Sequence, residues 1–177
     1  MKPEIISTTK LHKGRVFDLV NVKIREGDTE YEREIIPHSG SAVIVPVFED
    51  KTVGLVKQYR HAAGEYLLEL PAGTLEKGET PEQTAFREVE EEIGFVAAKM
   101  EKLTEFYVSP GFLDEIMHVF LATGLSETRQ NLDEDEILTV VKMTFPEAYS
   151  KIAGGEIRDA KTMAGLILAG KRFGVDF

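Results

Sequence analysis

Gly73–Phe95, GTLEKGETPEQTAFREVEEEIGF, decides the fold of this chain, because a glycine-bearing turn leads into a helix that crowds carboxylates toward its C-terminal end. Thr80 with Gln83 makes a capping box, Pro81 takes the favoured first helical position, and Gly94 supplies a left-handed stop. The spacing therefore predicts a helix over Pro81–Ile93. Ala85, Phe86, Val89 and Ile93 recur at helical intervals and face a core, whereas Glu88, Glu91 and Glu92, at i, i+3 and i+4, share a neighbouring face. Like charges at this spacing repel, and negative charge near a helix C-terminus opposes the macrodipole by roughly 0.3–1 kcal/mol. A bound cation would remove that penalty.

Working outward, Gly73 ends a Pro71-Ala72-Gly73 turn that follows the apolar run Tyr66–Leu70. Strand, glycine-bearing loop and acidic helix thus come in succession, and such a loop lets backbone groups approach an ion or a phosphate. A hard divalent ion takes oxygen ligands and keeps several waters, which suits a few carboxylates. An acidic helix without that context would read as a solvated face.

Gly73, then Glu79 after five intervening residues, then Arg87–Phe95 after seven more, fits the Nudix box at every specified position. The chain resembles the Nudix hydrolases, and the resemblance implies cleavage of a nucleoside diphosphate linked to another moiety, with Mg²⁺, or Mn²⁺ in its place, held by the box glutamates. By position it makes Glu88 and Glu92 the principal metal ligands, Glu91 a further ligand or water contact, and the Ala72 carbonyl a backbone ligand. Arg87 and Glu79 match a salt bridge between loop and helix; Gly73, Glu79 and Gly94 match the structural positions of the box.

Composition sets bounds on partners. The chain has 177 residues with 42% hydrophobic content, enough to bury a good core in one principal domain. A net charge of −10 argues against nucleic acid, whose binding depends on Lys/Arg clusters, and calls for a cation between this protein and an anionic substrate. With no cysteine there is neither a disulfide framework nor a thiolate nucleophile, which fits a reducing cytoplasm. No apolar stretch reaches membrane-spanning length, and the N-terminus is too polar for a signal peptide.

Val16–Arg25 and Glu30–Ile36 alternate around the turn Glu26-Gly27-Asp28, predicting an N-terminal antiparallel hairpin. Pro37-His38-Ser39-Gly40 breaks the pattern, so residues 1–40 are expected as a hairpin subdomain, to which the resemblance assigns dimerisation, and 41–177 as the Nudix hydrolase domain that it implies. Strands are expected at Ala42–Phe48, Val53–Tyr59, Tyr66–Leu70, Lys102–Val108, Ile116–Ala122 and Val140–Phe145. Two C-terminal helices follow, one starting at Pro146 and one capped by Asp159 over Ala160–Phe173. The fold class is α/β with a mixed sheet, and the resemblance implies the α/β/α sandwich of the Nudix family with a small N-terminal antiparallel β subdomain.

Residues outside the box speak to the substrate. Pro110 lies sixteen positions after Gly94, within Ser109–Glu115 (SPGFLDE), and resembles the marker of the ADP-ribose pyrophosphatase subfamily. Lys57-Gln58-Tyr59-Arg60, Leu68–Gly73, Arg33–Ile36 and Asp159–Thr162 also resemble that group. The expected reaction is ADP-ribose plus water to AMP and ribose 5-phosphate. Alternatives are another nucleoside diphosphate sugar or dinucleotide, such as GDP-mannose or NADH, or a module that senses ADP-ribose without cleaving it. The base that deprotonates water is sought in the acidic loop Asn131–Glu136; the resemblance leaves Glu134 and Glu136 both open, with Glu134 preferred, and Glu91 and Arg87 complete the catalytic set. Arg60, at a strand end, is suited to bidentate phosphate pairing, and Pro110 and Gly111 join it as substrate contacts. The subfamily pairs by exchanging N-terminal strands, which implies a homodimer with Arg33 reaching substrate across the interface.

Overall fold

The structure, a computed structural model, describes residues 2–132 and 136–177. It falls into two compact units, one of Met1–Gly40 with Phe106–Ile116, the other of Ser41–Glu105 with Met117–Phe177. The first unit is built on an antiparallel sheet in the order β1-β2-β3, with β1 at Glu4–Lys13, β2 at Asp18–Glu26 and β3 at Thr29–Ile35. β2 and β3 are the expected hairpin; β1 is a strand that sequence reading left without structure. Every residue of β1 is exposed, so no buried face marks it by alternation. After β3, Ile36 N donates to Phe112 O at 2.7 Å and His38 N to Asp114 Oδ1 at 2.6 Å, which ties the Ser109–Glu115 turn to the end of the hairpin.

The remaining strands are β4 Ser41–Pro46, β5 Thr52–Arg60, β6 Glu65–Glu69 and β7 Ala72–Thr74, then β8 Phe95–Tyr107, β9 Ile116–Glu127 and β10 Leu138–Thr144, all in the second unit but for the end of β8 and the first residue of β9. The helices are α1 Pro81–Ile93, α2 Phe145–Ala153 and α3 Ala160–Arg172. One sheet runs β7-β4-β9-β8 and the other β10-β5-β6. β4 pairs parallel with β9 and antiparallel with β7, giving the mixed sheet.

β4 explains the layering. All six of its residues are buried, as a strand covered on both faces requires. With period-two alternation, Ala42 and Ile44 pack with Phe120 and Ala122 against Ala85, Val89 and Ile93 of α1. Val45, with Val119, meets α3 so closely that a Cβ at Gly165 would lie 3.2 Å from Val45 Cγ2. α1 and α3 therefore flank one sheet as an α/β/α arrangement. β7, three residues long, occupies what sequence reading took as loop, because pairing with Ser41–Val43 of β4 draws Ala72–Thr74 into the sheet. No helix among the described residues is long and apolar enough to cross a membrane.

Candidate active site

α1 begins and ends where its capping residues place it. Thr80 Oγ1 accepts from Gln83 N, the Gln83 side chain accepts from Thr80 N, and Gly94 stops the helix at φ 72°. That register turns Glu88 and Glu92 inward, where they are only 7% and 3% exposed. Burial is the main reason their carboxyls titrate high, at about 7 for Glu88 and about 8 for Glu92. Glu136 and the neighbouring box carboxylates push in the same direction. Glu92 Oε2 accepts from Ala72 N at 3.1 Å, which joins the last turn of α1 to β7. A Cβ added at Gly73 would collide with the Glu88 carboxylate, so only glycine lets that side chain lie against the turn.

Arg87 is the counter-charge. Its Nε and one terminal nitrogen form a fork onto Glu79 at 3.0 and 3.1 Å, and its other terminal nitrogen donates to Glu88 at 2.6 Å and Glu91 at 2.9 Å. A further bond to Thr74 O, 3.3 Å, fastens helix to loop. The guanidinium holds Glu79 down at about 2, with help from the Thr84 hydroxyl. Glu91 thus stands on Arg87 and is more exposed than its two neighbours, a division of the acidic face that helical spacing alone does not reveal.

Ala72, Gly73, Arg87, Glu88, Glu91, Asn131 and Glu136 line one cavity of about 380 Å³. Glu92 lies behind it, on the Ala72 amide. Among the described residues no three His, Cys, Asp or Glu side chains are arranged to hold an ion as they stand, since Arg87 lies between Glu88 and Glu91. The donor set nevertheless fits a hard divalent cation: carboxylates and backbone oxygen only, two of the acids nearly buried and held high by desolvation, around a turn that a Cβ would fill.

The loop after β9 hangs on the end of α1. Thr128 N donates to Gly94 O at 2.8 Å, Asn131 N to Glu91 O at 3.1 Å, and Gln130 Nε2 to Glu92 O, so orphan carbonyls of the last turn are used to anchor it. Glu136 follows and lines the cavity; Glu134 lies outside the described residues. Sequence reading misses Gln130 and gives Asn131 only as the start of the acidic loop; neither carries a local signal beyond its polarity.

The remaining expected contacts separate into two places. Arg33, Pro110 and Gly111 together line a cavity of about 430 Å³ within the first unit, where Arg33 stacks over Tyr31 with its Cζ 4.6 Å from the ring centre. Arg60 pairs with Glu69, Nε to Oε1 and the terminal nitrogen to Oε2, both at 2.8 Å. In the β5–β6 hairpin Glu69 lies opposite Val56 and Arg60 opposite Glu65, so the arginine reaches back along its strand to an almost fully buried carboxylate, and a buried charge needs a partner.

The Nudix domain model matches residues 38–166. This chain belongs to the Nudix family. It is 42% identical over 166 residues to the ADP-ribose pyrophosphatase of Bacillus subtilis (strain 168), a match covering 92% of this chain and 89% of that protein. It is 41% identical over 162 residues to the methanol dehydrogenase activator of Bacillus methanolicus, covering 89% and 87%. A crystal structure of an ADP compounds hydrolase superposes with a TM-score of 0.87 over 98% of this chain and 95% of that one, at 22% identity, which establishes the likeness of fold.

Proposed function

We propose that this chain is a divalent-metal-dependent hydrolase that cleaves ADP-ribose with water to AMP and ribose 5-phosphate. The observation that carries the reading is the acidic cavity, in which Glu88 and Glu91 face the Ala72-Gly73 turn with Glu92 behind it, in a Nudix chain 42% identical to an ADP-ribose pyrophosphatase. Glu88, Glu91, Glu92 and the Ala72 carbonyl would hold Mg²⁺ or Mn²⁺. The ion, when bound, supplies Lewis-acid polarisation of the diphosphate and a water of lowered pKa. Glu136, which lines the same cavity, or Glu134 would take the proton from the attacking water as its oxygen bonds to phosphorus and the anhydride P–O bond breaks. Arg87 keeps loop and helix in register through Glu79 while balancing the charge of Glu88 and Glu91. Arg33, Arg60, Pro110 and Gly111 are assigned to the remainder of the substrate, Arg60 while held by Glu69.

The proposal includes a homodimer with exchanged N-terminal strands, supported by the edge position of β1 and the exposure of its apolar Ile5 and Leu11, 70% and 51%. The cysteine-free composition suits work in the cytoplasm. A second reading, activation of a methanol dehydrogenase, is favoured by the Bacillus methanolicus relative. The test is hydrolysis by the purified chain alone, with and without Mg²⁺, across ADP-ribose, GDP-mannose, NADH and a nucleoside triphosphate. ADP-ribose should have the highest kcat/KM. A rival ahead by about tenfold, or 1.4 kcal/mol of transition-state preference, would replace it as the substrate, and no turnover of any compound would favour the activator reading.

A further inference from the structure

Three segments outside the carboxylate face, Lys57–Arg60, Leu68–Gly73 and Asp159–Thr162, meet in one buried network. Thr162 has no exposed surface, and its Oγ1 accepts from Leu70 N at 2.7 Å while donating to Asp159 Oδ2 at 2.6 Å. The same Asp159 oxygen caps α3 by accepting from Thr162 N at 3.0 Å, and it takes a third bond from Lys161 Nζ at 3.0 Å. Lys161 also donates to Glu69, whose carboxylate holds Arg60. Four successive residues are thereby fixed. Glu69 is held by charge, Leu70 by Thr162, Pro71 through its carbonyl by Ile44 N at 2.9 Å, and Ala72 through its amide by Glu92.

We propose that Thr162 and Asp159 are positioning residues of the metal-holding turn, fixing Leu70–Gly73 so that the Ala72 carbonyl and Glu92 address one ion. This rests on the metal-dependent reading above. The argument turns on what Leu70 N would do without its partner. A Cβ at Gly165 would lie 2.5 Å from Leu70 Cδ1, so α3 packs closely on the Leu70 side chain, and in Thr162→Val a methyl takes the place a replacing water would need beside the buried amide. An unpaired buried amide is costly, and the segment can recover a partner only by moving, which carries Ala72 with it two residues on. Groups that orient metal ligands from behind set affinity as well as shape.

The test is Mn²⁺ uptake by the substrate-free chain, followed by the electron paramagnetic resonance of free Mn²⁺. Thr162→Val, which keeps the shape and removes the hydroxyl, should weaken Mn²⁺ binding about tenfold or more, in the range found for groups behind metal ligands. Thr162→Ser, which restores the hydroxyl, should return affinity to that of the parent. Parental affinity in Thr162→Val, whatever its melting temperature, would overturn the proposal by reducing the network to a stabilising brace. If Thr162→Val does not fold, Asp159→Ala, which removes the oxygen that accepts from the Thr162 hydroxyl, is read in its place: looser Mn²⁺ binding supports the proposal and parental affinity overturns it. A parent chain that takes up no Mn²⁺ overturns the metal reading and this proposal together, whereas a defect confined to the Thr162 and Asp159 variants leaves the metal reading intact.

Discussion

Glu92 shows how one residue serves two states. Desolvation pushes its carboxyl up to about 8, so the metal-free protein at neutral pH favours the protonated form, which an amide imitates in shape and charge. Glu92→Gln is therefore expected to keep or raise the melting temperature of the metal-free chain while lowering kcat/KM at limiting Mg²⁺ by about 10- to 100-fold. Calorimetry and steady-state rates over a Mg²⁺ series check both halves; parental turnover at limiting metal would remove Glu92 from the site. Gly73→Ala works in the opposite sense. Its methyl would sit on the Glu88 carboxylate, and overpacking of this kind costs about 1–3 kcal/mol, so urea unfolding should register the loss even without metal.

Among the elements, β6 and α3 are joined by Glu69, and their union should depend on pH. Burial acting alone would raise the Glu69 carboxyl; the Arg60 fork and Lys161 outweigh it, leaving the group below its ordinary value of 4.5. A carboxylate lowered on folding contributes stability that is present above that ordinary value and lost as pH falls through the folded one. Glu69→Gln should cost about 3 kcal/mol at neutral pH, the low end for breaking a buried pair because Arg60 is partly exposed. Parent and variant should converge in urea stability below pH 4.5, where Glu69 begins to take up its proton; a gap that persists unchanged through strong acid would contradict the assignment. The same elements mark where sequence reading succeeds and where it stops. α1 is legible to the residue because Thr80, Gln83, Pro81 and Gly94 act within a few positions of one another. The partners of Glu69 and Leu70 on α3 lie 92 positions away, so the segments that carry them are recognisable while their contact is not. β1 escapes for a different reason: a strand with no buried face has no apolar rhythm to display.

At the scale of the molecule, metal and assembly are the measurable quantities. A ligand that binds only the folded chain stabilises it by about 2.7 kcal/mol at a hundred times its Kd, so Mg²⁺ should raise the melting temperature and chelation should reverse it. That shift should vanish in a Glu88→Gln, Glu92→Gln double variant. Sedimentation should find the intact chain dimeric. Mixing Arg33→Ala chains with Glu92→Gln chains should recover activity if one working site draws on both copies. A fully active monomer would defeat the exchange of N-terminal strands, while a dimer without recovery would keep the pair and remove Arg33 from the shared site.

The amide of Leu70 is a clock for the departure of α3. It lies in a residue only 1% exposed, and its hydrogen-bond acceptor belongs to a side chain with no exposed surface at all. Solvent deuterium reaches it only when the helix lifts from the sheet, so its exchange rate in D₂O reports the free energy of that one opening rather than the fraying of a loop.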